Sequence, residues 1–288
     1  LPALREALGG TATHGEMFAR AIMTTDTRAR IAHRMIVVEG AEARSEVRIW
    51  GVAKGAGMIH PRLGAPVGAV AGPAHATMLV YLFTDVAGDA AELNAALATA
   101  VEPSFNSISI DGDTSTNDTV LLVASGASGV KLTPQLVPAF DEALDGVCRS
   151  LAYQIVDDGE GVEHVVTLDV RGAATAAEAK LVANAIAHSP LCKTAWSSAD
   201  PNWGRLLAAA GSSGAVFEPV RARIWIGGEP VFEYGARAAE FDEAKAHAVM
   251  MQREYEIRID LGEGDGHCRF LTCDLTEEYV RINADYST

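Results

Sequence analysis

The residue best suited to chemistry is Thr77, which follows a glycine- and proline-rich stretch and precedes the apolar run LVYLFT at residues 79–84. If the Ala76–Thr77 peptide bond broke, Thr77 would carry a hydroxyl and a free α-amine on one residue. An α-amine with an ordinary pKa of about 8 can act as the base for that hydroxyl. The pattern is typical of a self-cleaving N-terminal nucleophile, although a threonine that only begins a strand gives the same letters.

Helices and strands around this threonine decide where its hydroxyl lies. Apolar spacing predicts helices at residues 4–20, 90–101, 135–156, 176–187 and 238–251. Strand patterns occur at residues 37–38, 47–50, 79–84, 165–170, 222–226, 231–232, 255–261 and 268–275. Residues 63–76 are rich in glycine and proline and are predicted to form an exposed loop. Helices mixed with largely antiparallel strands predict an α+β fold of layered sheets.

Composition narrows the class of protein. The chain has 288 residues and a formal charge of −15, which argues against a nucleic-acid surface built of clustered lysine and arginine. Four widely spaced cysteines predict neither a disulfide scaffold nor a metal site. No segment has the length and apolarity of a membrane helix, and no signal-peptide pattern is present, so we expect a cytoplasmic protein.

Three polar segments remain as candidate sites. Lys54 stands in the glycine-rich run KGAGMIHP at residues 54–61, where backbone and side chain could approach an anionic ligand. Glu160 lies in the turn DDGEG at residues 157–161, a pattern that is usually only a hydrated loop. Residues 111–118 form a dense polar loop that lacks the spacing and closing glutamate of a calcium-binding EF-hand. We therefore predict no metal.

Several longer motifs occur in a fixed order along the chain. They are KGAGMIHP at 54–61, ATML at 76–79, SFNSISIDGDTSTND at 104–118, DPNWGR at 200–205 and INADYST at 282–288. In this order the sequence closely resembles the ornithine acetyltransferase family of arginine biosynthesis, from about residue 21 to the last residue. DPNWGR is distinctive as well, and we assign it to structure or to the shape of the pocket.

The resemblance implies a fold and an activity. The fold would consist of layered mixed sheets sandwiched by helices, of the self-processing N-terminal-nucleophile type. Residues 1–76 would be the C-terminal part of an α chain and residues 77–288 a β chain, which together form an α2β2 heterotetramer. A ping-pong reaction would move acetyl from N2-acetyl-L-ornithine to L-glutamate through an acetyl-Thr77 ester. No resident cofactor is expected, while acetyl-CoA is a possible second acetyl donor.

The resemblance also assigns site residues. Thr77 is the nucleophile, and Glu160 lines the active site, where it helps to move protons and holds the substrate. The substrate-binding set is Thr24, Lys54, Thr77, Glu160, Asn283 and Thr288, and the cleavage site is Ala76 with Thr77.

Two features depart from the family pattern. Family members carry a longer N-terminal part whose Thr-Gly pair forms the oxyanion hole, and nothing here matches that pair. We therefore expect the chain to lack this N-terminal part. Residues 63–75 are interpreted as an insertion that widens the gap between KGAGMIHP and Thr77 and could disturb self-cleavage.

Two other functions remain open at the level of the sequence. A self-processing amidase or aminopeptidase would use the same Thr77 and pass the acyl group to water. A non-catalytic binding relative would fit the missing oxyanion pair. Cleavage before Thr77 and the identity of the product separate these three functions.

Overall fold

The computed structural model describes residues 12–39, 44–64 and 77–285 of the chain. They fall into two compact units. The first unit comprises residues 1–106 and 114–158, and the second comprises residues 107–113 and 159–288. Chain order therefore does not follow the units strictly, because the short segment 107–113 belongs to the second unit.

The first unit is a four-stranded sheet with helices on both faces. Its elements are α1 Ala12–Ala21, β1 Arg30–Glu39, β2 Arg44–Lys54, β3 Leu79–Thr84, α2 Ala90–Val101, β4 Thr119–Ala124 and α3 Val137–Asp157. The strand order is β1-β2-β3-β4, with antiparallel pairs except for the parallel pair β3–β4. The sheet is therefore mixed.

Alternation along β3 sends side chains to opposite faces of this sheet. Leu82 is fully buried on the face covered by α3, which packs on β1 and β2. Tyr81 and Phe83 point the other way, where Phe18 of α1 meets their rings edge-on at centroid distances of 5.4 Å and 6.4 Å. The sheet is thus sandwiched between α1 and α3, as predicted.

The second unit is a six-stranded mixed sheet with its own core. Its elements are β5 Val165–Ala173, α4 Ala176–Ala187, α5 Pro190–Ser197, α6 Trp203–Gly211, β6 Arg223–Ile226, β7 Glu229–Glu233, β8 Ala236–Arg237, α7 Glu243–Met250, β9 Glu254–Asp260, β10 Gly266–Cys273 and α8 Glu277–Asp285. The strand order is β10-β5-β9-β6-β7-β8, and β5–β9 is a parallel pair next to the β10 edge strand.

One face of this second sheet is apolar and the other is polar. Leu168 and Val170 of β5 join the core that α4, α6 and α7 cover. Asp169, which lies between them, faces the opposite way and accepts hydrogen bonds from Arg171 and Arg258. Together the two units confirm the predicted α+β class of layered mixed sheets with helices packed on them.

The strongest apolar patterns were predicted best. The helix at residues 90–101 matches α2, and the face predicted for residues 135–156 is buried in α3. Its buried residues include Leu136, Phe140, Leu144, Val147 and Leu151. No helix in the described ranges is long and apolar enough to cross a membrane.

Several element boundaries were wrong. The helix predicted at residues 238–251 begins only at Glu243, because the Asp242 side chain caps it by accepting the Lys245 N–H at 3.2 Å. The strand predicted at residues 37–38 is the end of the longer β1. Helices α5, α6 and α8 were missed because each is too short for apolar periodicity to stand out. Residues 4–11 of the helix predicted at 4–20 lie outside the described residues.

A buried arginine holds one end of the first unit together. Arg30 is fully buried at the start of β1, where its guanidinium lies 2.5 Å from the Asp26 carboxylate and 2.8 Å from that of Asp158. It also donates to the Gly55 carbonyl oxygen at 2.6 Å. Because its partners lie before β1, after β2 and after α3, one side chain links three segments that are distant in sequence.

Replacing this guanidinium should destabilise the first unit selectively. Arg30→Met keeps much of the side-chain length but leaves two buried carboxylates without their cation, a loss of about 3–5 kcal/mol. Hydrogen-exchange mass spectrometry should show faster exchange in β1 and β2 and unchanged exchange in β5 and β9. Arg48→Met is the matched control, because the Arg48 side chain is 65% exposed. Unchanged exchange in β1 of Arg30→Met would contradict this role.

Candidate active site

The parallel register of β3 and β4 brings Thr77 to Asp118. Leu79 pairs with Thr119, so the residues just before the two strands also lie side by side. The Thr77 Oγ1 lies 3.1 Å from Asp118 Oδ1 and 3.2 Å from the Met58 carbonyl oxygen. The hydroxyl has one proton and can donate it to either acceptor.

A second hydrogen bond fixes the Asp118 carboxylate in place. Its Oδ1 accepts the Met78 N–H at 3.0 Å, so the backbone of the nucleophile's own segment orients the acid beside Thr77. Its Oδ2 is buried and accepts no hydrogen bond of normal geometry from the described residues. One carboxylate oxygen is therefore committed to Thr77 and Met78, while the other lies in a site shielded from water.

Lys54 reaches the same place from β2. It is the last residue of that strand and pairs with Leu79 across the antiparallel β2–β3 ladder. The side chain is largely buried, and the charges of both Asp26 and Asp118 act on its ammonium group. We refer to Lys54, Thr77 and Asp118 together as the Thr77 cluster.

Burial and charge oppose each other within the Thr77 cluster. Burial raises the pKa of Asp118; the Met78 N–H, the Thr77 hydroxyl, the Lys54 charge and, least, the Ser115 backbone lower it in part. Burial lowers the pKa of Lys54, while the charges of Asp26 and Asp118 raise it in part. Asp118 is thus more basic than an ordinary aspartate. The raised pKa of Asp118 contributes stability to the folded state. This contribution is fully present below the pKa that Asp118 has in the unfolded chain, and it is lost as pH rises through the pKa that Asp118 has in the folded chain.

Gly55 is required where the chain passes behind Thr77. Its φ is +133°, and a Cβ at this position would lie 2.6 Å from the Thr77 carbonyl oxygen. Its N–H donates to Asp26 Oδ1 at 2.7 Å. Only glycine satisfies both the backbone angle and the close approach, so the glycine of the KGAG motif shapes the site directly.

Thr24 is joined to this region through Asp26. Its backbone N–H donates to Asp26 Oδ2 at 2.9 Å, while Asp26 Oδ1 receives the Gly55 N–H. Thr24 itself is exposed to solvent. Three residues predicted from the sequence, Thr24, Lys54 and Thr77, are therefore held within one network of the first unit.

Two further predicted residues meet in the second unit. Asn283 of α8 donates its amide N–H to Glu160 Oε2 at 3.0 Å and to the Tyr279 carbonyl oxygen at 3.1 Å. Gly161 has a φ of +68°, and a Cβ there would lie 2.4 Å from the Tyr279 backbone nitrogen. The glycine after Glu160 thus allows the turn at residues 157–161 to pack against α8.

Some predicted residues lie outside the described part of the chain. Ala76 and Thr288 are among them, as is most of the segment interpreted as an insertion, residues 63–75. At the start of that segment, Leu63 exchanges two backbone hydrogen bonds with the Asn106 side chain, at 2.8 Å and 2.9 Å. Within the described residues we identify no pair that replaces the expected Thr-Gly oxyanion donors.

The DPNWGR motif has a structural role in the second unit. The Asn202 side chain caps α6 by accepting the Arg205 N–H at 3.2 Å, and the Trp203 ring stacks on Phe232 with centroids 5.0 Å apart. Arg205 donates to the Leu191 carbonyl oxygen at 2.8 Å. These contacts account for the motif through packing and capping.

One described group of side chains has the spacing of a metal site: Glu163, His164 and Asp274. Asp274 Oδ1 already accepts the backbone N–H groups of Glu163 and His164, each at 3.1 Å, and its Oδ2 lies 2.9 Å from His164 Nδ1. These bonds account for the buried aspartate without an ion. The absence of a metal stays a prediction.

Asp118 and Asp26 are the residues that sequence reasoning missed. From the sequence, Asp118 was considered only as part of the polar loop at residues 111–118, and Asp26 was given no role. One signal for Asp118 was available in the sequence. Asp118 precedes the apolar run at residues 119–124, just as Thr77 precedes the apolar run at residues 79–84. Parallel pairing of those two runs brings the preceding residues together.

The fold and the Thr77 cluster define a layered α+β protein in which a threonine hydroxyl is held against a carboxylate, an arrangement suited to nucleophilic chemistry. The ArgJ family model matches residues 1–288. The chain belongs to the ArgJ family.

Curated relatives agree with this membership. The chain is 45% identical over 277 residues to the "Arginine biosynthesis bifunctional protein ArgJ" of Methylococcus capsulatus, which covers 95% of this chain and 64% of the relative. The protein of the same name from Thermus thermophilus is 45% identical over 281 residues, with 97% and 66% covered. The "Glutamate N-acetyltransferase" of Methanopyrus kandleri is 42% identical over 286 residues, with 98% and 69% covered. The chain thus spans about two thirds of the length of these relatives.

A solved structure supports the fold. The crystal structure of the arginine biosynthesis bifunctional protein ArgJ from Bacillus halodurans superposes with a TM-score of 0.67 at 39% identity, over 70% of this chain and 96% of that chain.

Proposed function

We propose that this chain is the larger part of a glutamate N-acetyltransferase that moves acetyl from N2-acetyl-L-ornithine to L-glutamate through an ester on Thr77. The observation that carries the proposal is that the Thr77 hydroxyl lies 3.1 Å from the Asp118 carboxylate in a member of the ArgJ family. The names of the curated relatives support arginine biosynthesis and acetyl transfer to glutamate.

The chemistry divides a difficult amide exchange into two easier steps. Thr77 Oγ1 attacks the acetyl carbonyl carbon of N-acetylornithine, the amide C–N bond breaks, and ornithine leaves with the proton that its nitrogen requires. The amine of glutamate then attacks the ester carbonyl, and Thr77 recovers its hydroxyl proton. Each half-reaction passes through a tetrahedral oxyanion, for which family members use donors in their longer N-terminal part.

Thr77 reaches this role after cleavage of the Ala76–Thr77 bond. Residues 1–76 then belong to an α chain and residues 77–288 to a β chain. Strands β2 and β3 lie on opposite sides of that bond and pair from Ile49–Thr84 to Lys54–Leu79. This ladder supports a cleaved protein whose two chains stay associated. We further propose that two copies of each chain form an α2β2 assembly and that the protein is cytoplasmic.

Charge and hydrogen bonding support the substrate assignments. Lys54 offers a cation beside Thr77 for a substrate carboxylate, and Thr24 is held close by in the Asp26 network. Glu160 with Asn283 offers an acceptor and an amide for the amine and carboxylate of an amino acid, and Thr288 is assigned to the same role. No resident cofactor is needed, and acetyl-CoA is a second acetyl donor that the same ester would accept.

Thr77→Ala tests self-processing and transfer together. The full-length parental protein should yield a fragment whose N-terminal sequence is Thr-Met-Leu-Val, and Thr77→Ala should stay uncut because the attacking hydroxyl is gone. Transfer of acetyl from N-acetylornithine to glutamate should be lost as well. Thr116→Ala, an exposed change in the polar loop before Asp118, should behave like the parent. Complete cleavage of Thr77→Ala would rule out self-processing by Thr77.

Lys54→Met and Glu160→Gln test the two charged substrate-binding assignments. Each keeps approximate size and removes the charge, so acetyl transfer should fall by about tenfold or more, with turnover as well as KM affected for Glu160 because protons move in both half-reactions. The matched controls are Lys131→Met and Glu240→Gln, both at exposed positions. Steady-state kinetics with each substrate gives the comparison, and near-parental values in both Lys54→Met and Glu160→Gln would refute the assignments.

A further inference from the structure

Self-cleavage poses a proton problem that the mature nucleophile does not have. In the uncut chain the Thr77 nitrogen is part of a peptide bond, and an amide nitrogen is not a base. The internal amine that serves the mature threonine does not yet exist. Another group must therefore accept the hydroxyl proton when Thr77 Oγ1 attacks the preceding carbonyl carbon.

The contacts of the Thr77 hydroxyl identify that group. Among the described residues, Oγ1 has two hydrogen-bond acceptors, the Met58 carbonyl oxygen at 3.2 Å and Asp118 Oδ1 at 3.1 Å. A backbone carbonyl holds a proton far too weakly to take it from a hydroxyl. The carboxylate can take it, and the Met78 N–H holds Oδ1 in position at 3.0 Å.

On the basis of the proposed function, we propose that Asp118 is the general base that starts cleavage of the bond before Thr77. The Oγ1–H proton passes to the Asp118 carboxylate as Oγ1 forms a bond to the Ala76 carbonyl carbon. The C–N bond then breaks, and the proton moves from Asp118 to the departing Thr77 nitrogen. This N-to-O shift leaves an ester and a free amine, and water hydrolyses the ester to the Ala76 carboxylate and the Thr77 hydroxyl.

The environment of Asp118 suits this cycle of taking and returning one proton. Its side chain is partly shielded, and its raised pKa makes it a stronger base than an exposed aspartate, while the Lys54 ammonium keeps the charged form accessible. Once the bond is cut, the new α-amine of Thr77 lies on the same residue as the hydroxyl and can take over as base. Asp118 is thus required for cleavage more than for the later acetyl transfer.

The experiment is a pulse-chase of cleavage in cell-free synthesis of the full-length protein, with parental, Asp118→Asn, Asp118→Glu and Asp113→Asn chains. Asparagine keeps an oxygen that accepts the Met78 N–H but does not take up a proton. Cleavage of Asp118→Asn should slow at least about 100-fold, within the usual range for loss of a general base. Asp118→Glu should recover most of the rate, and Asp113→Asn, an exposed change in the same polar loop, should match the parent.

Two further readouts separate a base from a structural residue. The midpoint temperature of thermal unfolding of Asp118→Asn should not fall below that of the parent, because burial already disfavours the charged carboxylate that asparagine removes. The parental cleavage rate should rise with pH and level off above the pKa of Asp118, which the Lys54 charge lowers in part. This pH arm uses the parental chain alone and therefore holds even if a variant fails to fold.

The outcomes distinguish this role from the proposed function. If the parent cleaves and Asp118→Asn cleaves at the same rate, the role of Asp118 is overturned while self-processing by Thr77 stands. Equal slowing of folded Asp118→Asn and Asp118→Glu would show that side-chain shape matters instead of proton transfer, and would also overturn it. A parental chain that stays uncut would overturn self-processing itself and the role of Asp118 with it.

Discussion

The structure around Thr77 depends on the buried ion pair of Arg30 and Asp26. Arg30 has no exposed surface, so its charge is tolerable only with the carboxylates of Asp26 and Asp158 beside it. The same Asp26 carboxylate accepts the Gly55 N–H, and Arg30 donates to the Gly55 carbonyl oxygen. This ion pair thus holds both the N–H and the carbonyl group of Gly55. Because Gly55 has no side chain, the chain can pass close behind the Thr77 carbonyl oxygen. A break in this pair would release the segment that supports the nucleophile.

Three strand ends meet at the point that this ion pair supports. The antiparallel β2–β3 ladder brings the end of β2, with Lys54, to the start of β3, and the parallel β3–β4 ladder brings the start of β4 to the same place. A nucleophile, an acid and a cation that are far apart in sequence therefore come together through strand register alone. Rigid strands hold such groups more accurately than a long loop would, which is what covalent catalysis requires.

The sequence predicted some parts of this structure well, and its failures have physical causes. The buried face of α3 follows from apolar spacing, which is strong over three or more turns. Helix α5 has only eight residues, Pro190–Ser197, so its periodicity is weak, although Ser189 caps it. Thr24, Lys54 and Thr77 were identified by resemblance to family motifs, and the structure places them in one network. Asp118 was missed because its role depends on the parallel pairing of β3 with β4, and the sequence of neither strand specifies its pairing partner.

Trapping acetyl on Thr77 tests most directly whether this threonine is the nucleophile. Processed full-length protein is mixed with N-acetylornithine in the absence of glutamate, quenched in acid and digested, and the peptide that begins at Thr77 is weighed. We expect the peptide to carry one added acetyl group. Hydroxylamine should remove it, as expected for an ester on Oγ1 and not for an amide on the α-amine, and glutamate should discharge it as N-acetylglutamate. Release of free acetate alone at saturating glutamate would identify a hydrolase. Continued transfer with no acetyl on this peptide would contradict the central claim that Thr77 carries the acetyl group.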